Sequence, residues 1–156
     1  MSEFIIRANA VCVSGHRDIK NDINVKKVKI IFENLINNGI DTFLIGMAIG
    51  FDTLCFQILE EFKKTKSIKI IACIPCLNQA DKFSFEQKKE YYRLLSVADE
   101  KIVLSENYTP SCMQKRNKFM VDNSSAVICY LNRNKGGTFN TVKYAEKIGI
   151  PVINVI

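Results

Sequence analysis

The sequence predicts an α/β domain, a mostly parallel sheet layered between helices, on three observations. Short apolar runs rich in β-branched residues alternate with longer stretches of helical periodicity. Several of those runs are apolar enough to be buried on both faces, as strands covered by crossover helices are. No linker or low-complexity segment interrupts the alternation over 156 residues, a length that suits one domain with its own core. Together they describe a Rossmann-like three-layer sandwich, one domain over residues 1–156.

Six strands are expected: Ala8 to Ser14, Thr42 to Ile45, Ile68 to Ile74, Glu100 to Leu104, Ser125 to Leu131 and Pro151 to Val155. Between the first two, Val25, Val28, Ile31, Phe32, Leu35 and Ile36 recur at three and four residues, the stripe of a core-facing helix. Leu54, Cys55, Ile58, Leu59 and Phe62 mark a second helix in the same way. A third is expected over Ser84 to Val97, a fourth over Ser111 to Asn123 and a fifth over Thr138 to Lys147. Gly39 and Gly149 stand where a left-handed glycine closes a helix before the next strand.

Composition narrows the classes of function. Hydrophobic residues are 47% and charged residues 24% of the chain, the balance of a globular protein. The most apolar runs, Ile70 to Leu77 and Gly149 to Ile156, are too short to span a bilayer. The N-terminus, with acidic Glu3, lacks the uninterrupted apolar stretch of a signal peptide, so a cytoplasmic protein with no membrane partner is expected. Six cysteines (Cys12, Cys55, Cys73, Cys76, Cys112, Cys129) sit mostly inside apolar runs and read as buried, reduced thiols. Cys73 and Cys76 form a CIPC pair, but no second pair accompanies them to complete a zinc site, and neither metal nor cofactor is expected. The net charge of +6 favours anionic partners without choosing among them, and KKVK and EEFKKTK read as solvated helix faces.

In an open parallel sheet, ligands bind beyond the carboxyl ends of the strands, where loops meet helix N-termini. Three such loops carry glycine: SGHRDI after the first strand, GMAIGFD after the second, and KGGTFNT after the fifth. Gly15, Gly46, Gly50, Gly136 and Gly137 are candidates for close backbone approach to an anion, with Thr138, Asn140 and Thr141 beside them; a tight turn is the plainer use of each. GMAIGFD is not the dinucleotide fingerprint, and no P-loop occurs. His16, the one histidine, is a ligand contact or a loop-packing group, and direct acid/base work has no visible relay partner. Arg17 suits a phosphate, with a surface salt bridge as the alternative. Asp52 opens the second helix, either capping it or taking a ribose hydroxyl. Met113, Arg116, Asn117 and Met120 share one helical stripe, which sets a cation among apolar residues and requires it to find a partner. Asp122 falls on the opposite, solvent side. Tyr91, Tyr92, Phe83 and Phe85 either pack the core or line a base-stacking pocket.

SGHRDI, GMAIGFD, the segment from IPCLNQADKFS to EYYRLL, MQKRNKFMVDNSSAVICYL and KGGTFNT, taken in order, resemble the SLOG superfamily over most of the chain. That superfamily includes Lonely Guy nucleotide hydrolases, DprA-type DNA-processing proteins and YpsA-like proteins, and the nearest likeness is to the last. The resemblance implies a pocket at the carboxyl ends of the strands suited to nucleotides. In Lonely Guy enzymes an arginine in a segment similar to MQKRNKFM and a glutamate in a PGGxGTxxE motif act on an N-glycosidic bond. Arg116 matches the arginine; Lys135 replaces the proline, and the glutamate position falls at Lys143 or its neighbours Val142 and Tyr144. The expected function is binding or sensing of a nucleotide-derived phosphorylated ligand, in a possible homodimer. The alternatives are a nucleoside monophosphate N-glycosidase, with Arg116 in its site, and a single-stranded DNA-binding protein.

Overall fold

A computed structural model describes residues 5–19 and 23–156; the N-terminal residues 1–4, on which the leader reading partly rests, lie outside the described residues. The strands are β1 (Ala10–Gly15), β2 (Thr42–Ile45), β3 (Lys69–Ile74), β4 (Glu100–Val103), β5 (Val127–Tyr130) and β6 (Val152–Asn154). They form one sheet in the order β4-β3-β2-β1-β5-β6, and every neighbouring pair is parallel. The helices are α1 (Val25–Asn37), α2 (Phe51–Lys63), α3 (Phe85–Val97), α4 (Cys112–Asp122) and α5 (Gly137–Lys147). The predicted first strand begins two residues late in the structure, because Arg7–Asn9 form a turn of 3-10 helix.

Period-two alternation divides the core into two layers. Val11, Val13, Phe43, Ile45 and Ile70 face α1, α2 and α3, where Phe32, Phe56, Leu59 and Leu94 are buried. Ala10, Cys12, Leu44, Ile71 and Cys129 face the other side, under Met120 and Val121 of α4 and Val142 and Ala145 of α5. Local chemistry fixes the helix ends. Asn24 accepts from Lys27 N at the start of α1, and Ser84 and Gln87 form a reciprocal capping box on α3. Gly39 and Gly149 have positive φ after α1 and α5, as the sequence predicts.

The strand order has one consequence for function. The chain winds outward from β1 through β4, then crosses back to the other side of β1, so β1 and β5 are neighbours whose following connections diverge to opposite faces. That divergence opens a crevice above their carboxyl ends.

Candidate functional site

The crevice is a cleft of about 430 Å³, within the range of small-ligand pockets. Ser14 to Asp18 line it from the end of β1, Ala48 from the loop after β2, Asp52 from the start of α2, and the Met113, Arg116, Asn117, Met120 stripe from α4. Arg133 and Lys135 to Thr138, leading from β5 into α5, close the remaining side.

Three glycines act through packing. A Cβ at Gly15 would collide with the Cβ and ring of Phe51, which is fully buried. At Gly46 it would stand 2.5 Å from Arg116 Nη1. At Gly50, where φ is 83°, it would strike the Arg17 carbonyl. These positions let the β1 and β2 loops and α4 approach one another, and Gly46 and Gly50 stand behind the cleft wall. Gly136 and Gly137 differ: both are exposed, with no atom within 4 Å of an added Cβ. Gly136, at φ 102°, caps α5 without a side chain, which leaves the first amides of that helix, from Gly137 on, without a carbonyl one turn before them.

Arg116 is 5% exposed and lines the same cleft as that helix start. Its Nη1 donates to the Gly46 carbonyl and, at 3.3 Å, to that of Cys73; its Nε donates to Asn117 Oδ1 at 2.7 Å. Gln79 Nε2 also donates to the Gly46 carbonyl, at 3.0 Å, and Tyr91 Oη donates to Gln79 Oε1, so the β2 terminus is held from both layers. Burial pulls the guanidinium pKa down while nearby Asp52 pushes it up.

Asp52 is not a helix cap. Gly50 holds that position, and Asp52 Oδ2 accepts backward from Ala48 N at 3.1 Å, bracing the GMAIGFD loop. Its Oδ1 is buried and has no hydrogen-bond partner among the described residues. Desolvation raises its pKa to about 6, against the opposing pull of Arg116, the Ala48 amide and Arg17.

His16 is buried, and its Nε2 accepts from Asn132 N at 3.2 Å, so the ring joins the β1 and β5 loops as a neutral imidazole. Burial and Arg133 lower its pKa. Arg133 donates to Asp18 at 2.8 Å, tying the same two loops at the surface. Sequence reasoning missed this pair; the signal available was a polar NRN cluster directly after a predicted strand. Among the described residues, neither Arg17 nor Lys135 forms a salt bridge with a carboxylate, although Arg17 stands close enough to Asp52 to act on its charge.

The structure therefore gathers Gly15, His16, Arg17, Asp52, Arg116, Asn117, Gly136, Gly137 and Thr138 around one cleft. Asn140 and Thr141 lie further along α5 and line a separate small recess against α4, where Thr141 Oγ1 donates back to the Gly137 carbonyl at 2.9 Å. Lys143, at the compared glutamate position, is exposed, pairs with Glu146 and lies over the Phe139 ring. The carboxylates that line the cleft are Asp18 and Asp52. Phe83 and Tyr91 line a second, mostly apolar cavity of about 350 Å³ between α2 and α3, while Phe85 and Tyr92 are exposed. All six cysteines are free and buried. Burial raises the Cys73 and Cys76 thiol pKa values, the opposite of what a reactive CIPC pair needs. No helix among the described residues is long and apolar enough to cross a membrane.

The sequence profile of the YspA SLOG family matches residues 7–148. An SPbeta prophage-derived protein of Bacillus subtilis (strain 168), YoqJ, described as uncharacterized, is 34% identical over 137 residues, covering 78% of this chain and 79% of YoqJ. Among solved structures, DNA processing protein A (DprA) of Streptococcus pneumoniae superposes with a TM-score of 0.67 at 20% identity, over 91% of this chain and 48% of that one. DprA of Helicobacter pylori, described by its single-stranded DNA binding mode, gives 0.67 at 17% identity over 95% and 64%. The chain thus spans about half of the first and less than two thirds of the second. A molybdenum cofactor binding protein of Rippkaea orientalis gives 0.61 at 19% identity over 94% and 76%. At these identities the structures share the fold alone.

Proposed function

The chain belongs to the YspA SLOG family, and from that premise we propose that it binds a nucleotide-derived phosphorylated ligand in the cleft above β1 and β5, as a sensor or binding protein. The carrying observation is the start of α5. Its open Gly136–Gly137 turn presents unpaired amides and the positive end of the helix dipole to a cleft that also holds Arg17 and Lys135, neither of which forms a salt bridge among the described residues. A phosphate is the group that satisfies amides and cations together.

Hydrolysis of an N-glycosidic bond has less support, since α5 brings no carboxylate to the cleft and three nitrogens of Arg116 are engaged with protein atoms. Single-stranded DNA is the second reading, favoured by the fold shared with DprA and by the net charge of +6.

Thermal shift against nucleoside mono-, di- and triphosphates, nucleotide sugars and cyclic dinucleotides tests the first reading, because a ligand of the native state raises the melting temperature. A selective shift that Arg17→Ala or Lys135→Ala weakens is expected. No shift with any phosphorylated compound at millimolar concentration, alongside retardation of a labelled single strand, would transfer the assignment to DNA.

A further inference from the structure

Between α2 and α3 the fold leaves a second cavity, of about 350 Å³, whose lining shares only Asp52 with the cleft above β1 and β5. Ile19, Met47, Leu54, Phe56, Phe83 and Leu94 supply its apolar walls. Met47, Phe56 and Leu94 are buried while Glu86 and Gln87 are exposed, so the cavity opens to solvent at the first turn of α3. Apolar walls that the chain does not cover itself reward an apolar group for leaving water, and the volume is that of a small-ligand pocket.

The charge here is the reverse of the cleft's. Four cations, Arg17, Arg116, Arg133 and Lys135, line the cleft, whereas the cavity is lined by the carboxylates Asp52, Glu86 and Glu90 and, among the described residues, by no lysine or arginine. Hydrogen bonds from Arg93 draw the Glu90 pKa down to about 2, so it is ionised at neutral pH. Arg93 stands outside the lining and donates to both Glu60 of α2 and Glu90 at 2.8–2.9 Å, so one cation serves two carboxylates and that strap stays negative overall. Glu86 forms no salt bridge among the described residues. Asp52 is enclosed and acts on an occupant through its charge alone.

We infer that this cavity is a second ligand site and that it takes a small aromatic amine, its ring packed with Phe83 and Tyr91 and its ammonium beside Glu86. Phe83 and Tyr91 already stand edge to face, with ring centroids 5.6 Å apart, an arrangement that a third ring can join. The Tyr91 hydroxyl is spent on Gln79, so the pair offers the cavity its hydrocarbon rather than a donor. An anion, the phosphorylated ligand of the cleft included, would meet three carboxylates here without a lining cation to offset them. The inference stands apart from the phosphate reading.

The experiment is an amide NMR titration of the full chain at about pH 7.5 with three compounds of one shape: tryptamine, neutral 3-ethylindole and indole-3-propionate. Tryptamine should move amides of α2 and α3 and bind about tenfold more tightly than indole-3-propionate. Glu86→Gln, an exposed change that leaves the core untouched, should weaken tryptamine about threefold and leave 3-ethylindole unchanged. Leu54→Trp fills the cavity and should weaken all three, with a melting curve to show that the variant is folded. No movement of α2 and α3 amides by any compound at millimolar concentration overturns the inference. So does indole-3-propionate binding as tightly as tryptamine, an equal effect of Glu86→Gln on tryptamine and 3-ethylindole, or undiminished tryptamine binding by folded Leu54→Trp. The phosphate reading is tested by its own ligands and is untouched by each of these results.

Discussion

Replacing Asp52 by asparagine is expected to stabilise the free protein at neutral pH, and the size of the effect follows from where the carboxyl sits. In the unfolded chain it ionises near its ordinary value of 3.8; in the fold, desolvation raises this to about 6. Between those values the native state holds a proton that the unfolded state has released, so stability falls as pH rises through that window and is flat above it. At ~1.4 kcal/mol per pH unit, the full displacement is worth about 3 kcal/mol. Asparagine resembles the protonated acid in shape and charge, so at about pH 7.5 the variant should be more stable by about 2–3 kcal/mol, and near pH 4 by almost nothing. For a chain of this length that is a rise of about 5–10 °C in melting temperature. His16 contributes the opposite slope: its folded pKa lies below 6.5, so its stability contribution is lost as pH falls through that folded value. Only the difference between native protein and variant isolates Asp52. Urea melts of both at pH values from about 4 to about 8 make the measurement. A variant no more stable at neutral pH, or a difference that does not change with pH, would refute the reasoning.

Gly15→Ala places a methyl group against Phe51, whose ring stacks on Tyr130, and α2 must move to admit it. A loss of about 3 kcal/mol or more is expected in urea melts. Gly46→Ala drives the Arg116 guanidinium off the Gly46 and Cys73 carbonyls and should cost about 2 kcal/mol, together with nucleotide affinity measured by calorimetry. Arg116→Ala removes the cation nearest the buried Asp52 charge, so it should destabilise by about 3–5 kcal/mol, and by less in an Asp52→Asn background, which a double-mutant cycle reads. The native thiols should resist an aromatic disulfide reagent at mildly alkaline pH until denaturant is added, since burial lifts Cys12 and Cys129 to about 12; rapid reaction of any thiol in the folded protein contradicts the packing.

Local sequence determined the elements of this protein and their order. Strand runs, helix stripes and the closing glycines Gly39 and Gly149 are set by short-range sterics and by the periods of side-chain burial, and these survive translation into three dimensions with shifts of a residue or two at the ends. The stripe that carries Arg116 was legible for the same reason. What separated the glycines was tertiary. Gly15, Gly46 and Gly50 look like Gly136 and Gly137 in sequence, yet the first three are required by Phe51, Arg116 and the Arg17 carbonyl, from segments tens of residues away or on a neighbouring loop. The direction of Asp52 was likewise undecided by sequence, because a helix-opening aspartate can cap, brace a loop or face a ligand. The fold chose the brace for one oxygen and left the other bare. Local chemistry fixes which residues stand at a loop, while only the convergence of β1, α2, α4 and α5 decides which of their polar atoms find a partner within the fold and which do not.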